Sequence, residues 1–447
     1  MNLFFKKLTG QLHSTEKLER RIMAEEQRIA RYRQVEQSKE LKEFLELKKI
    51  VESKEFQQLK FNLIHTKYKT TPTYATIHRY KELQNNKQLQ MFLEMENSQR
   101  LKDFLAFRAS DNYVKLQSKK EVRNSLELKQ MAEFEKSKEY KSYLVYRDSK
   151  LPEQFKALVA EVATDEFKKQ HAFWSNPKRW KTTDEYQQEV RYKQLAAMAD
   201  IIFYQQQDRA AIERMEEWKE VFKDEFEWQR LSDSQWKPGF AYDNPKVLHQ
   251  HSFANEQQAN SGGRNVGTID CKLQLFTKHE KMTAPAWDVQ KGFVNKEFDY
   301  TSDIIQTADT FRHAGGLFMA KIRISGNIHH ALWLGSGKKL PMINLFHYNG
   351  RHITVGNYTE RNFDGTVVRG ISPKNYYVYS LRWTDTELVW YVNNVEVYRT
   401  VVNIPKEKLY LAISSFIDQH QRAAEAQMSV AWVRVFAKDA KEAAKKK

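Results

Sequence analysis

Apolar residues in the first half of the chain recur three and four positions apart, and in the second half they recur in short alternating runs. The first pattern places one apolar stripe on a helix and the second belongs to half-buried strands. Within the first half a short motif repeats: Ser, Thr or Asn, two charged or polar residues in most copies, then a large apolar residue. It occurs at Ser38–Leu41, Ser53–Phe56, Asn86–Leu89, Ser98–Leu101, Ser110–Tyr113, Ser125–Leu128, Ser137–Tyr140, Thr164–Phe167 and Thr183–Tyr186. From Asn86 the copies are 12, 12, 15, 12 and 27 residues apart, with Ser149 splitting the last interval. Ser, Thr and Asn cap helix N-termini, and a carboxylate in the first turn favours the helix dipole, so each copy predicts the start of a helix of roughly 10 residues. Apolar residues follow at helical offsets, as in Leu41, Phe44 and Leu45 or Leu101, Phe104 and Leu105.

Helices this short do not persist alone in water, so their stripes need a neighbour or another chain. A nearly continuous coiled rod is the alternative form, and the recurring caps favour the broken one. The aromatic residues among the helices, such as Tyr140, Tyr143, Tyr146, Trp174, Trp180, Trp218 and Trp228, are expected as core and inter-helix packing rather than as a ligand-stacking surface. From Tyr186 to Trp228 the pattern suggests one or two longer helices that dock the repeat onto the second half.

Glycine and proline mark where the texture changes. Of 15 glycines only Gly10 precedes residue 238, and of nine prolines only Pro72, Pro152 and Pro177 do. Both residues are costly inside helices and punctuate turns, so the first half is expected to be helical and the second rich in strands. The predicted division is an all-α repeat or stalk over residues 1–235, an all-β sandwich over 236–437 and a basic tail over 438–447. Strands are expected at 267–276, 315–324, 331–334, 342–347, 353–357, 376–383, 388–392, 409–414 and 428–436, with Asn393-Asn394 as a two-residue hairpin turn.

Charge and cysteine narrow the classes. The net charge of +16 divides into about +7 before residue 236 and +9 after it, a diffuse excess that gives no footprint for nucleic acid. A single cysteine, Cys271, rules out an internal disulfide framework. Three apolar residues at the N-terminus are followed at once by Lys6 and Lys7, short of a secretory leader, and no run reaches transmembrane length. A reduced, cytoplasmic location is the resulting expectation.

Several phrases of the second half resemble the family 16 glycoside hydrolases, the laminarinase and lichenase group with a concanavalin-like jelly roll. They are FDYTSDIIQT from Phe298, GGLFMAKIRI from Gly315, HALWL from His330, YSLRW from Tyr379, WYVNN from Trp390 and MSVAWVRVF from Met428. In that family the strand after the tryptophan strand carries ExDxxE or ExDxE: a nucleophile, a helper aspartate and a general acid. Retaining hydrolysis needs two carboxyl groups about 5–5.5 Å apart across the sugar bond. Here the matched segment is Met342-Ile-Asn-Leu-Phe-His347, with Met342, Asn344 and His347 in the three positions, or Phe346 in the last under the shorter spacing. Neither methionine nor asparagine can attack an anomeric carbon as a carboxylate does.

The resemblance therefore implies the scaffold of a hydrolase without its acid pair. The leading expectation is a non-catalytic structural or assembly protein, not an enzyme, whose residues 1–235 self-associate or hold a partner and whose jelly roll is a head domain. The alternative is a glycan-binding, lectin-like module on a helical stalk, with Trp333, Asn344 and His347 as the residues that would hold the glycan, and an active glycoside hydrolase is the third reading, behind both. No cofactor is implied; the family sometimes carries a structural calcium, and nothing in this sequence places one. His329 and His330, adjacent on a strand, should face opposite ways and share no metal. His249 and His251 are expected as a surface pair, and Gly262–Gly267 as a flexible turn without the Lys-Ser/Thr of a phosphate loop.

Overall fold

A computed structural model describes residues 2–118, 125–244, 246–360 and 362–438. The chain forms two compact units, Arg33–Gln206 and Met1–Tyr32 with Gln207–Lys447. Among the described residues no helix is long and apolar enough to cross a membrane.

Arg33–Gln206 is built of short helices, and every copy of the motif caps one of them. The side-chain oxygen of Ser38, Ser53, Asn86, Ser98, Ser110, Ser125, Ser137, Thr164 or Thr183 accepts the backbone N–H three residues on, at 3.1–3.4 Å. That third residue is the motif's apolar one, so the cap and the core contact act on the same residue. Leu41, Phe56, Leu89, Leu101, Tyr140 and Phe167 are buried. The stripe is narrow: Leu45 and Leu105, one position past the buried Phe44 and Phe104, are exposed.

Broken rather than continuous helices follow from these caps, and their stripes pack within the unit. An outgoing series from Lys39–Val51 to Gln99–Arg108 lies against a returning series from Leu126–Lys136 to Ala199–Gln205. Lys39–Val51 packs on Asp184–Ala196, Pro72–Gln84 on Leu151–Ala163, and Lys87–Glu96 on Lys138–Tyr146. Aromatic side chains join the two series: Phe104 meets Tyr140 at 4.9 Å, Phe92 meets Tyr143 at 5.7 Å and Phe56 meets Trp180 at 5.7 Å. These rings serve as packing, as expected.

The second unit is a sandwich of two antiparallel-rich sheets over one core. One sheet has the order Phe363–Val368, Ile353–Tyr358, Met342–Asn349, His329–Gly335, Tyr410–Phe416, Ile304–Gln306 and Lys237–Pro238. The other has eleven strands, with Leu388–Val392, Tyr377–Trp383, Gly316–Ser325, Ala426–Lys438 and Leu273–Asp288 running through its middle. Ile343, Leu345 and Phe346 from the first sheet and Phe318, Leu381 and Trp390 from the second fill the space between them. Asn393 and Asn394 take positive φ of 43° and 66° in the predicted hairpin turn.

Two expectations need correction here. Trp218–Asp224 is a strand, not the end of a long helix, because Phe222 enters the sandwich core while the backbone pairs with Ala426–Lys438. The helices before it, Asp184–Ala196, Ala199–Gln205 and Arg209–Glu216, remain short. The sandwich unit also takes in the start of the chain, so it does not begin at residue 236. Leu3 and Leu12 join its core, Leu18 packs on Val378 and Trp432, and Glu19 bridges Lys321 at 2.8 Å and accepts from the Trp432 indole at 3.0 Å. Of the basic tail, residues 439–447 lie outside the described residues.

Candidate functional site

Alternation along a strand sends neighbouring side chains to opposite faces, and a bulge breaks that rule once. In Met342–Asn349, Ile343 and Leu345 point into the core while Met342 and Asn344 face the other way. Opposite, the register slips between Leu332 and Trp333: Leu332 pairs with Phe346, and Trp333 with Asn344. Phe346 therefore joins Leu345 in the core, 1% exposed and 4.7 Å from the Tyr379 ring, and His347 returns to the outer face. Met342, Asn344 and His347 therefore share the outer face of this strand, and Phe346 is a core residue.

These three and Trp333 line one cavity of about 230 Å³ on the outer face of the seven-stranded sheet. The structure thus brings all the sequence-predicted site residues together. Trp333 is half-buried, and its indole donates to Ser414 Oγ at 3.2 Å. Gly335 keeps the space beside the ring open, since a Cβ there would lie 2.5 Å from Trp333 Cζ3. Burial shifts the Tyr358 phenol up, with Asn344 opposing the shift. The backbone carbonyl of Asn344 accepts the Trp390 indole at 2.9 Å, tying the floor of the cavity to the opposite sheet.

His347 belongs to a pair that sequence reasoning missed. Its Nε2 lies 2.9 Å from His329 Nδ1, and its Nδ1 lies 3.3 Å from Thr354 Oγ1. Residues 329 and 331 share a face, and Ala331 stands opposite His347 in register, so period-2 spacing on paired strands was the signal. Burial pushes His347 down to about 4, with His329 adding to the shift, and burial lowers His329 as well. Both imidazoles are neutral at neutral pH, one donating to the other. His330 faces the other way as predicted; it contacts Ser415 Oγ at 2.7 Å and is pushed down to about 3 by burial.

The opposite wall comes from the loop and short strands at 252–260. It contributes Phe253, Glu256, Gln258 and Asn260, joined by Phe240. Glu256 accepts from Gln258 Nε2 at 2.7 Å; burial pushes its carboxyl up to about 7, with Asp418 raising it further. Nothing in the local pattern marks Glu256, because it reaches the cavity only through long-range pairing: Gln258–Asn260 runs parallel to Gly292–Ser302, and Glu256 bridges Asp418. Among the described residues lining the cavity, Glu256 is the one carboxylate.

The weaker sequence candidates resolve as follows. His249 is exposed, but His251 is buried, with Nε2 3.0 Å from Tyr242 Oη and Nδ1 2.9 Å from the Ser252 carbonyl, so they are not a surface pair. The glycine-rich turn is pinned rather than flexible: buried Asp303 accepts from Ser261 Oγ at 2.6 Å and from the Gly263 and Asn265 amides at 2.9 Å. Among the described residues no cluster of three or more His, Cys, Asp or Glu could hold a metal ion.

No protein-family model and no curated protein matches the sequence. Solved structures similar to this chain include the laminarinase catalytic domain from Thermotoga maritima, at 16% identity over 50% of this chain and 98% of that one, with a TM-score of 0.40. The endo-1,3-beta-glucanase from Pyrococcus furiosus is 15% identical over 49% and 94%, with a TM-score of 0.40. The kappa-carrageenase from Pseudoalteromonas carrageenovora is 18% identical over 50% and 96%, with a TM-score of 0.39. Each of these similarities covers about half of this chain.

Proposed function

We propose that the sandwich unit binds a carbohydrate chain in the cavity around Trp333 and does not cleave it. The observation that carries this reading is the lining itself: half-exposed rings of Trp333, Tyr358, Phe240 and Phe253 beside the amides of Asn344, Gln258 and Asn260. A sugar ring has apolar C–H faces and a rim of hydroxyls, so stacking on aromatic faces and paired hydrogen bonds to amides suit it.

The absence of cleavage is supported by the carboxylate count along the cavity. Glu256, held protonated up to about pH 7, is suited to donate a proton, but among the described residues lining the cavity no second carboxylate supplies a nucleophile or activates water; Asp418, which raises the Glu256 carboxyl, is outside that lining. This reading places glycan binding ahead of assembly, because the helical stripes that seemed to demand a partner chain pack on one another within Arg33–Gln206. A second reading, partner binding by that unit, is favoured by the exposed Phe61 and Ile64 on Lys54–His65.

The test is affinity electrophoresis of the full chain in gels holding β-1,3-glucan or carrageenan, alongside an assay for new reducing ends. Retardation that Trp333→Ala abolishes, without release of reducing ends, is the expected result. Reducing-end release that Glu256→Gln removes would make the protein a hydrolase instead.

A further inference from the structure

The hairpin formed by Leu273–Asp288 and Gly292–Ser302 carries apolar side chains in water near its tip: Trp287 is 40% exposed, Phe293 43% and Val289 91%. Trp287 and Phe293 are a directly opposed cross-strand pair, with ring centroids 4.9 Å apart. On the other side of Trp287 the short strand Ser252–Phe253 pairs in parallel, with Phe253 in register with Trp287. Residues in register across neighbouring strands point to the same face, so Phe253, Trp287 and Phe293 form one row across three strands. Phe253 lines the cavity around Trp333. A second line of rings makes the same connection, since Phe240, also in the cavity lining, lies 4.9 Å from His251, which lies 5.3 Å from Phe293.

We propose that this row is an extension of the carbohydrate site, so that the ligand is an oligosaccharide long enough to lie from Trp333 past Phe253 onto Trp287 and Phe293. The inference rests on the reading of the Trp333 cavity as a carbohydrate site. Two features select a glycan chain as occupant. The row is continuous with the cavity through Phe253, and it is narrow, with Asn295 two positions past Phe293 on the same face and Gln290 and Lys291 in the turn at its end. A stable protein interface buries about 800 Å² per partner around an apolar centre, which two rings and a valine do not supply. A sugar chain needs only successive aromatic faces with polar groups between them.

The test is calorimetric titration of the full chain with β-1,3-linked gluco-oligosaccharides of two and of seven rings, comparing the parent with Trp287→Ala, Phe293→Ala and Trp333→Ala. Both hairpin side chains are substantially exposed, and thermal melting checks that the variants fold. The seven-ring ligand should bind the parent about tenfold more tightly than the two-ring one. Trp287→Ala and Phe293→Ala should each remove about fivefold or more of that advantage and leave two-ring binding unchanged. Trp333→Ala should weaken both. Equal binding of both lengths by the parent, or seven-ring binding untouched by the hairpin variants, overturns the extension and leaves the cavity reading standing. Failure of the parent to bind either length overturns the cavity reading and the extension with it. A parent that sediments as a dimer and variants that sediment as monomers would assign the row to a second copy of the chain instead.

Discussion

In the helical unit the group that starts each helix and the residue that buries it are three positions apart, as with Ser38 and Leu41 or Ser137 and Tyr140. In the sandwich the groups that hold one another are far apart in sequence: Trp390 donates to Asn344 across 46 positions, and the Asn393 side chain donates to the His13 carbonyl across 380. Local pairing makes the helical unit a series of small clusters, each spanning an outgoing and a returning helix. Long-range pairing gives the sandwich one large core, and its outer face inherits whatever that core and its register impose. The candidate site is therefore a product of the sandwich's register, while the helical unit repeats one device many times.

The largest effect that would test this contrast is Trp390→Ala. Removing a fully buried indole should cost about 3–5 kcal/mol, with loss of amide protection spread across the whole sandwich and none in Arg33–Gln206. Hydrogen exchange on the full chain reads both units at once, and protection lost equally in both would break the comparison.

Next in size is Glu256→Gln, which probes a group that the sandwich alone places. The carboxyl titrates near 4.5 when unfolded and near 7 when folded, so the folded state holds the extra proton between those values. Its contribution to stability is present below about pH 4.5 and is lost as pH rises through 7. The variant should gain on the parent by on the order of 2 kcal/mol at pH 8 and by nothing at pH 4, measured by urea unfolding. His330 and His347 act in the opposite sense: held neutral by burial, they contribute stability above about 6.5 that is lost as pH falls towards 4 and 3. With Glu256 removed, stability should rise more steeply with pH across that range.

The smallest expected effect belongs to the caps. Ser53→Ala should cost about 1 kcal/mol and raise exchange only in Lys54–His65 and the helices packed on it. A cap variant that loosened the sandwich would show that the two units do not unfold separately.

How much was legible follows the same contrast. Every motif serine, threonine or asparagine capped a helix because the signal and its structural consequence lie within one turn. The strands at 316–325, 329–335, 342–349, 377–383 and 388–392 were readable from alternation, and so was the Asn393-Asn394 turn. Trp218–Asp224 was misread because a seven-residue edge segment beside helical sequence offers no distinguishing period; its pairing with Ala426–Lys438 decides it. Met342, Asn344, His347 and Trp333 were singled out through the resemblance of their strands to the family 16 phrases, not by alternation, which the bulge breaks between Asn344 and His347. Glu256 was not, because its approach to the cavity depends on pairing with residues far along the chain.

By itself the sequence determined the succession of capped helices and the order of most strands, since each of these follows from neighbours a few residues apart. Only the tertiary structure decided that the helical stripes pack on one another, that the first residues of the chain join the sandwich, and that a bulge turns His347 rather than Phe346 outward. It also decided that Glu256 and Phe253 line one cavity with Trp333 and that His329 pairs with His347. The physical reason is range: helix caps and strand alternation are set by local backbone geometry, whereas register and packing depend on which distant segments meet.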